Sequence, residues 1–162
     1  MIFSNPTEYA IRALSELVIM AEGATPNTGR AGSYIMLNNL VERTTLPREF
    51  MAKIFRQLVE AKVLDSAKGP GGGFALARPA KEVSLLDIIE AIDGGSPVEG
   101  CVVGLARCND EMPCPQHELF KPIRQRLRNY LSNTTLADTA ASLRAKKELS
   151  AKDTIIKPKK RK

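Results

Sequence analysis

The chain has one histidine, three cysteines and no run of eighteen or more apolar residues. The missing apolar run excludes a helical membrane span, which needs about 20 such residues. The stretch Met1-Ile2-Phe3-Ser4-Asn5-Pro6 has no basic segment followed by an apolar core, so it does not read as a secretory leader. A cytoplasmic location without membrane attachment is therefore expected. A single histidine leaves little room for an acid–base triad, and no serine or cysteine has a sequence-visible base as partner. Neither an enzyme nor a small-molecule substrate is expected. A secreted disulfide scaffold wants an even number of cysteines spread along the chain. Here the count is odd and the three are clustered, as Cys101, Cys108 and Cys114. That pattern in a cytosolic protein points to metal or redox chemistry.

At 162 residues the chain can bury one core and still carry an additional helix. Its net charge of +6 resembles a nucleic-acid signal, but the charge is unevenly placed. Residues 144–162 hold nine Lys/Arg against two Asp/Glu, a net of +7, which leaves the remaining body at −1. The high pI belongs to the tail, and any DNA-reading surface in the body must come from local pattern. Residues 148–162 are expected to be a solvated, disordered basic segment.

The pattern along the chain is mostly helical. Asn5 is a possible cap with Pro6 behind it and Glu8 three residues on. Tyr9, Ala10, Ala13, Leu14, Leu17 and Val18 then recur at helical spacing. Residues 23–33, rich in Gly, Thr, Pro and Asn, read as a loop. A short helix over 37–43, a turn at 44–46 and a second helix from Pro47 to about Ala61 follow. Phe50, Met51, Ile54, Phe55, Leu58 and Val59 form the buried stripe of that second helix. Residues 63–66 and 74–77 read as strands of a hairpin. Ser84 with Asp87 three residues later opens a helix that Asp93-Gly94-Gly95 ends. After a cysteine loop over 96–117 comes a helix carrying Leu119, Phe120, Ile123, Leu127, Tyr130 and Leu131. Pro122 requires that helix to start just before it or to kink there. One more helix begins at Thr135-Leu136-Ala137-Asp138 and runs to about Lys147.

Three helices and a two-stranded wing make a winged helix-turn-helix. The expected class is mainly α with a small β wing, followed by a long C-terminal helix. Three regions are expected: 1–83, the winged helix-turn-helix; 84–147, a helix, the cysteine loop and two further helices; and 148–162, the tail. Arg48, Glu49 and Lys53 near the start of the second helix of the motif can meet phosphates and base edges. An ordinary solvated helix face has the same composition. The segment Lys68-Gly69-Pro70-Gly71-Gly72-Gly73 lacks the G-x-x-x-x-G-K-[ST] order and no helix follows it, so it is a wing tip rather than a nucleotide loop. Lys68, Gly69, Gly71 and Gly72 there could lie along phosphates or enter a minor groove.

The cysteines are spaced C-x6-C-x5-C, with His117 three residues beyond the third, after an x2 gap. Thiolates are soft ligands that suit iron–sulfur clusters and zinc. The paired C-x2-C knuckles usual for zinc are missing. Three unrelated reduced thiols and a surface or helix-capping histidine are the plain alternative.

Several segments together resemble the Rrf-two (Rrf-type) family of bacterial transcription regulators, with its IscR-like and NsrR-like members. The resemblance covers about residues 1–143. It is carried by Tyr9-Ala10-Ile11-Arg12-Ala13-Leu14, by Leu46-Pro47 with Phe50 and Leu58, and most of all by residues 68–78. Val83-Ser84-Leu85-Leu86-Asp87-Ile88-Ile89, Ala91-Ile92-Asp93-Gly94 and Thr135-Leu136-Ala137-Asp138 also fit. The resemblance implies a homodimer joined by the long helix at about 118–133, with a recognition helix in the major groove of an operator and a wing at the minor groove. It implies an iron–sulfur cluster on Cys101, Cys108 and Cys114. The fourth ligand is His117, as in IscR-like members, or Glu8 of the other subunit, as in some NsrR-like members. The first favours a [2Fe–2S] cluster over [4Fe–4S]. The chain departs from the family in a first cysteine spacing one residue longer than C-x5-C, in Lys68 where arginine is usual, and in the length of the loop 23–33. The expected function is a DNA-binding regulator whose cluster senses iron, redox or nitric oxide status. A metal-free thiol regulator on the same fold and a winged-helix protein adaptor are the alternatives.

Overall fold

The computed structural model describes residues 3–23, 33–95, 98, 100–106 and 109–155, the last five as backbone only. Helix α1 spans Asn5–Glu22, α2 Leu37–Thr44 and α3 Arg48–Glu60. Strands β1 (Leu64–Ala67) and β2 (Gly73–Leu76) pair antiparallel, with Leu64 opposite Leu76 and Ala67 opposite Gly73. A short 3-10 turn at Ala80–Glu82 leads into α4 (Leu85–Asp93), and α5 (His117–Asn133) and α6 (Leu136–Ile155) complete the chain. The strands sit one residue away from their sequence expectation, at 64–67 and 73–76.

Helix ends follow side-chain chemistry. The N-cap of α1 is Ser4, not Asn5: the Ser4 hydroxyl accepts from the Thr7 amide, and Asn5 is already helical. Pro47 likewise caps α3 rather than opening it. Ser84 and Asp87 form the expected reciprocal capping box on α4, and Gly94 closes that helix at φ 75°. A second reciprocal box, Thr135 with Asp138, starts α6. The two boxes lie side by side, because the Leu85 amide donates to Thr134 O and the Leu136 amide to Val83 O.

One cluster of buried side chains draws on almost every element. It joins Leu14 and Leu17 of α1, Leu40 of α2, Met51, Ile54 and Phe55 of α3, Leu64 of β1, and Ile88 and Ile89 of α4. Leu131 of α5, Leu136 of α6 and Val98 of the cysteine loop enter the same cluster. The last helix is longer than its apolar pattern promised. It reaches Ile155, so residues 148–155, expected in the disordered tail, are helical. Residues 156–162 and most of the expected 23–33 loop lie outside the described residues.

Candidate functional site

Two surfaces are built from the residues the sequence singled out. The first is the helix-turn-helix. Thr45, left-handed at φ 57°, caps α2 and turns the chain into Leu46-Pro47 and α3. The buried face of α3 is fixed by Met51, Ile54, Phe55 and Leu58, and by two edge-to-face ring contacts, Tyr9–Phe50 at 5.5 Å and Phe55–Phe74 at 5.0 Å. That anchoring leaves Arg48, Glu49, Lys53 and Arg56 exposed. Neither Met36 before α2 nor Pro47 before α3 caps its helix with a side chain, so the first amides of both helices keep their donors. Among the exposed side chains, Arg48 is held: its Nε donates to Asn38 Oδ1 at 2.9 Å.

Strand β2 of the wing packs against α3 through the Phe55–Phe74 contact. Gly69 and Gly71 take positive φ of 88° and 72°, and the Gly72 amide donates to Gly69 O. At Gly73, φ 143°, a Cβ would come within 2.3 Å of Ile35 O, because Ile35 and Phe74 exchange both backbone hydrogen bonds. A Cβ on Gly72 would lie 2.4 Å from Ala67 O. Backbone approach thus demands glycine at positions 72 and 73, positive φ favours it at 69 and 71, and Lys68 is carried exposed beside them.

The second surface is the cysteine loop. Cys101 and Cys114, both half-buried, meet with Sγ atoms 3.9 Å apart although thirteen positions separate them. Cys108 lies outside the described residues. His117 is the first residue of α5 and only 5% exposed; its amide donates to Cys114 O, and its Nε2 lies 2.8 Å from Asp110 Oδ1. Lys121 Nζ reaches the same Asp110 oxygen at 2.5 Å. The bonds to Lys121 and His117 hold the Asp110 carboxyl below its ordinary pKa, and the same bond raises that of Lys121. Asp110, His117 and Glu118 bring ligand atoms within 4.8 Å of one another. Farther along α5, Arg124 donates from Nη2 to Gly100 O at 3.1 Å and lies over the Phe120 ring. The loop is therefore tied to the first two turns of α5 at Gly100, Asp110 and Cys114. Pro122 sits inside that helix without ending it.

Helix α5 also presents Leu119 (68% exposed), Ile123 and Tyr130 (55% each), an apolar row at intervals of four and seven residues. Glu8, in the first turn of α1, is half-buried. Sequence reasoning had not singled out Asp110, Arg124 or Asn38. Their partners are 7, 24 and 10 positions away, and no spacing rule links a loop carboxylate or a helix amide to such a partner.

Helix-turn-helix, wing and trailing helices together define a winged-helix protein of the type that reads duplex DNA. Residues 3–142 match the family model described as "Rrf2: Iron-dependent Transcriptional regulator", and the chain belongs to the Rrf2 family of transcriptional regulators. Among its relatives, an HTH-type transcriptional regulator of Mycobacterium tuberculosis is 30% identical over 142 residues, covering 86% of this chain and 81% of the relative. The HTH-type transcriptional regulator IscR of Klebsiella pneumoniae is 25% identical over 139 residues, covering 85% and 78%. In fold the chain is similar to CymR, the global cysteine regulator of B. subtilis, with a TM-score of 0.68 at 19% identity over 86% of this chain and 96% of that one. It is similar also to the oxidized form of Staphylococcus aureus CymR, with a TM-score of 0.61 at 26% identity over 86% and 96%. No helix among the described residues is long and apolar enough to cross a membrane.

Proposed function

We propose that the protein is a homodimeric, operator-binding regulator whose affinity for DNA is set by an iron–sulfur cluster on Cys101, Cys108, Cys114 and His117. The observation that carries the reading is the 3.9 Å separation of the Cys101 and Cys114 sulfurs. Two thiolates each ~2.3 Å from one tetrahedral metal lie ~3.8 Å apart, so this pair fits a shared metal centre without rearrangement. The family description and the IscR relative point the same way. The buried His117 beside Cys114 favours [2Fe–2S] over [4Fe–4S]; Glu8 of a partner subunit is the alternative fourth ligand.

In this reading Arg48, Glu49 and Lys53 face the major groove, and Lys68 with Gly69, Gly71 and Gly72 follows the minor groove or its phosphates. The row Leu119, Ile123 and Tyr130 joins α5 to its copy in the dimer. The bound cluster would supply thiolate–iron bonds that order the cysteine loop. Through Arg124, His117 and Lys121 that loop bears on α5, which sets the separation of the two DNA-reading heads. Loss of iron, oxidation or nitric oxide would shift that population.

Anaerobic purification tests the reading, with a visible spectrum, an iron and acid-labile sulfide count per chain, and duplex binding before and after cluster removal. Coloured protein with matched iron and sulfide and a changed affinity is expected. Colourless protein after reconstitution would overturn it.

A second reading has an observation of its own. The same thiol pair is close enough to join, and a relative of similar fold is known in an oxidized form. Hydrogen peroxide would take two electrons from the Cys101 and Cys114 thiols, forming one S–S bond as its O–O bond breaks, and the two thiol protons would leave in two waters. Iron-free protein that gains a Cys101–Cys114 disulfide together with altered DNA affinity would favour it.

A further inference from the structure

We propose that Asn38 is a positioning residue that presets the Arg48 guanidinium for two-pronged contact with a guanine edge in the major groove. The inference rests on the reading of α3 as the DNA-facing helix. Arg48 is the first residue of α3 and Asn38 the second of α2, so their bond joins the leading turns of both helices of the motif. Both side chains are exposed. Burial thus gives the contact no reason to exist, whereas readout does. Side chains near the start of a recognition helix are those that reach base edges.

The geometry decides which contact Arg48 can make. Its Nε is engaged by the Asn38 carbonyl oxygen. A side-on grip that uses Nε with one terminal nitrogen is therefore closed, and the two terminal nitrogens remain as a parallel pair. Guanine presents N7 and O6 as neighbouring acceptors in the major groove, the match for such a pair. A long arginine side chain has many rotamers, and fixing one before DNA arrives removes an entropic penalty from binding. The partner is a neutral amide, so the guanidinium is oriented without its charge being cancelled, as a carboxylate at position 38 would do.

The test is a double-mutant cycle on a duplex selected from a random pool by the wild-type protein, with a scrambled duplex alongside. Thermal melts confirm that each variant is folded. Arg48→Ala is expected to weaken the selected duplex by about 10-fold or more, and Asn38→Ala by roughly 5-fold. The double variant is expected to bind no more than about 2-fold more weakly than Arg48→Ala alone, because Asn38 acts through Arg48. Scrambled-duplex affinity should change little. Losses that multiply in the double variant would overturn the proposal, since Asn38 would then touch DNA by itself. Equal losses on both duplexes, or no loss in Asn38→Ala, would overturn it too. A wild-type protein that selects no duplex would instead remove the underlying DNA reading.

Discussion

Lys147 of the last helix donates to Oε1 of Glu16 in the first, across 131 positions of sequence. Glu16 is only 3% exposed, and its other oxygen has no hydrogen-bond partner; Arg43, at the end of α2, approaches it with Nε at 3.5 Å. Near the end of α1, Glu22 pairs with Arg144. Helix α6 is thereby fastened to the DNA-reading head by charge as well as by Leu136 and Ala140.

Removing Lys147 would leave the buried Glu16 carboxylate with Arg43 as its one cation, at 3.5 Å and not hydrogen-bonded. Lys147→Met is expected to destabilise the fold by about 1–3 kcal/mol. Glu16→Gln in the same background should recover part of that loss, because the buried charge goes with it. Thermal or urea unfolding of the single and double variants reads both effects, and identical stabilities would contradict the arrangement.

The wing makes two unequal demands on glycine. Gly73→Ala places a methyl against Ile35 O in a positive-φ conformation and should cost about 2–4 kcal/mol. Gly69→Ala, at φ 88° with nothing near the added carbon, should cost about 1 kcal/mol. Melting temperatures of the two variants would show the contrast.

Acid should weaken the start of α4. Burial pushes the Asp87 carboxyl up, but the Ser84 amide and hydroxyl and the Arg78 guanidinium together outweigh it and hold the pKa below the usual value of 3.8. A depressed carboxyl adds stability above its unfolded pKa, and that contribution disappears as the pH falls through the lower folded value. Wild type should therefore exceed Asp87→Asn by about 1 kcal/mol near neutrality. The difference should close as the pH drops below about 4. Unfolding of both proteins across pH gives the check.

The cysteine loop yields a spectroscopic prediction. If the proposed cluster is bound, Cys114→Ala is expected to lose the visible absorption and the iron that the wild type carries. His117→Ala should keep three thiolates yet release iron faster on exposure to a chelator, and Asp110→Ala should fall between His117→Ala and wild type. Iron loss at the wild-type rate from His117→Ala would shift the fourth ligand to Glu8.

Salt separates phosphate contacts from base contacts. Lys53→Ala or Lys68→Ala should lower the slope of log affinity against log salt by about 1 if the lysine meets a phosphate. Affinities measured from low to moderate salt would show it, and an unchanged slope would remove that lysine from the phosphate path.

Much of this molecule is written locally. The apolar periods of α1 and α3, the Ser84–Asp87 box, the Gly94 stop and the glycine wing tip all act over a few residues, so the sequence by itself determined the helices, the hairpin and the winged-helix class. It also placed the three cysteines and His117 in one segment. The errors were local too: Ser4 won the cap from Asn5 because its hydroxyl reaches the Thr7 amide. Only the tertiary structure decided that Cys101 meets Cys114, that Asp110 joins His117 to Lys121, that Asn38 holds Arg48 and that the backbone at Ile35 leaves room only for glycine at position 73. It also decided that α6 continues to Ile155, beyond the end read from its weak apolar pattern. Those relations arise where separate elements are packed together, and the free energy that selects them belongs to pairs of distant residues that no short stretch of sequence contains.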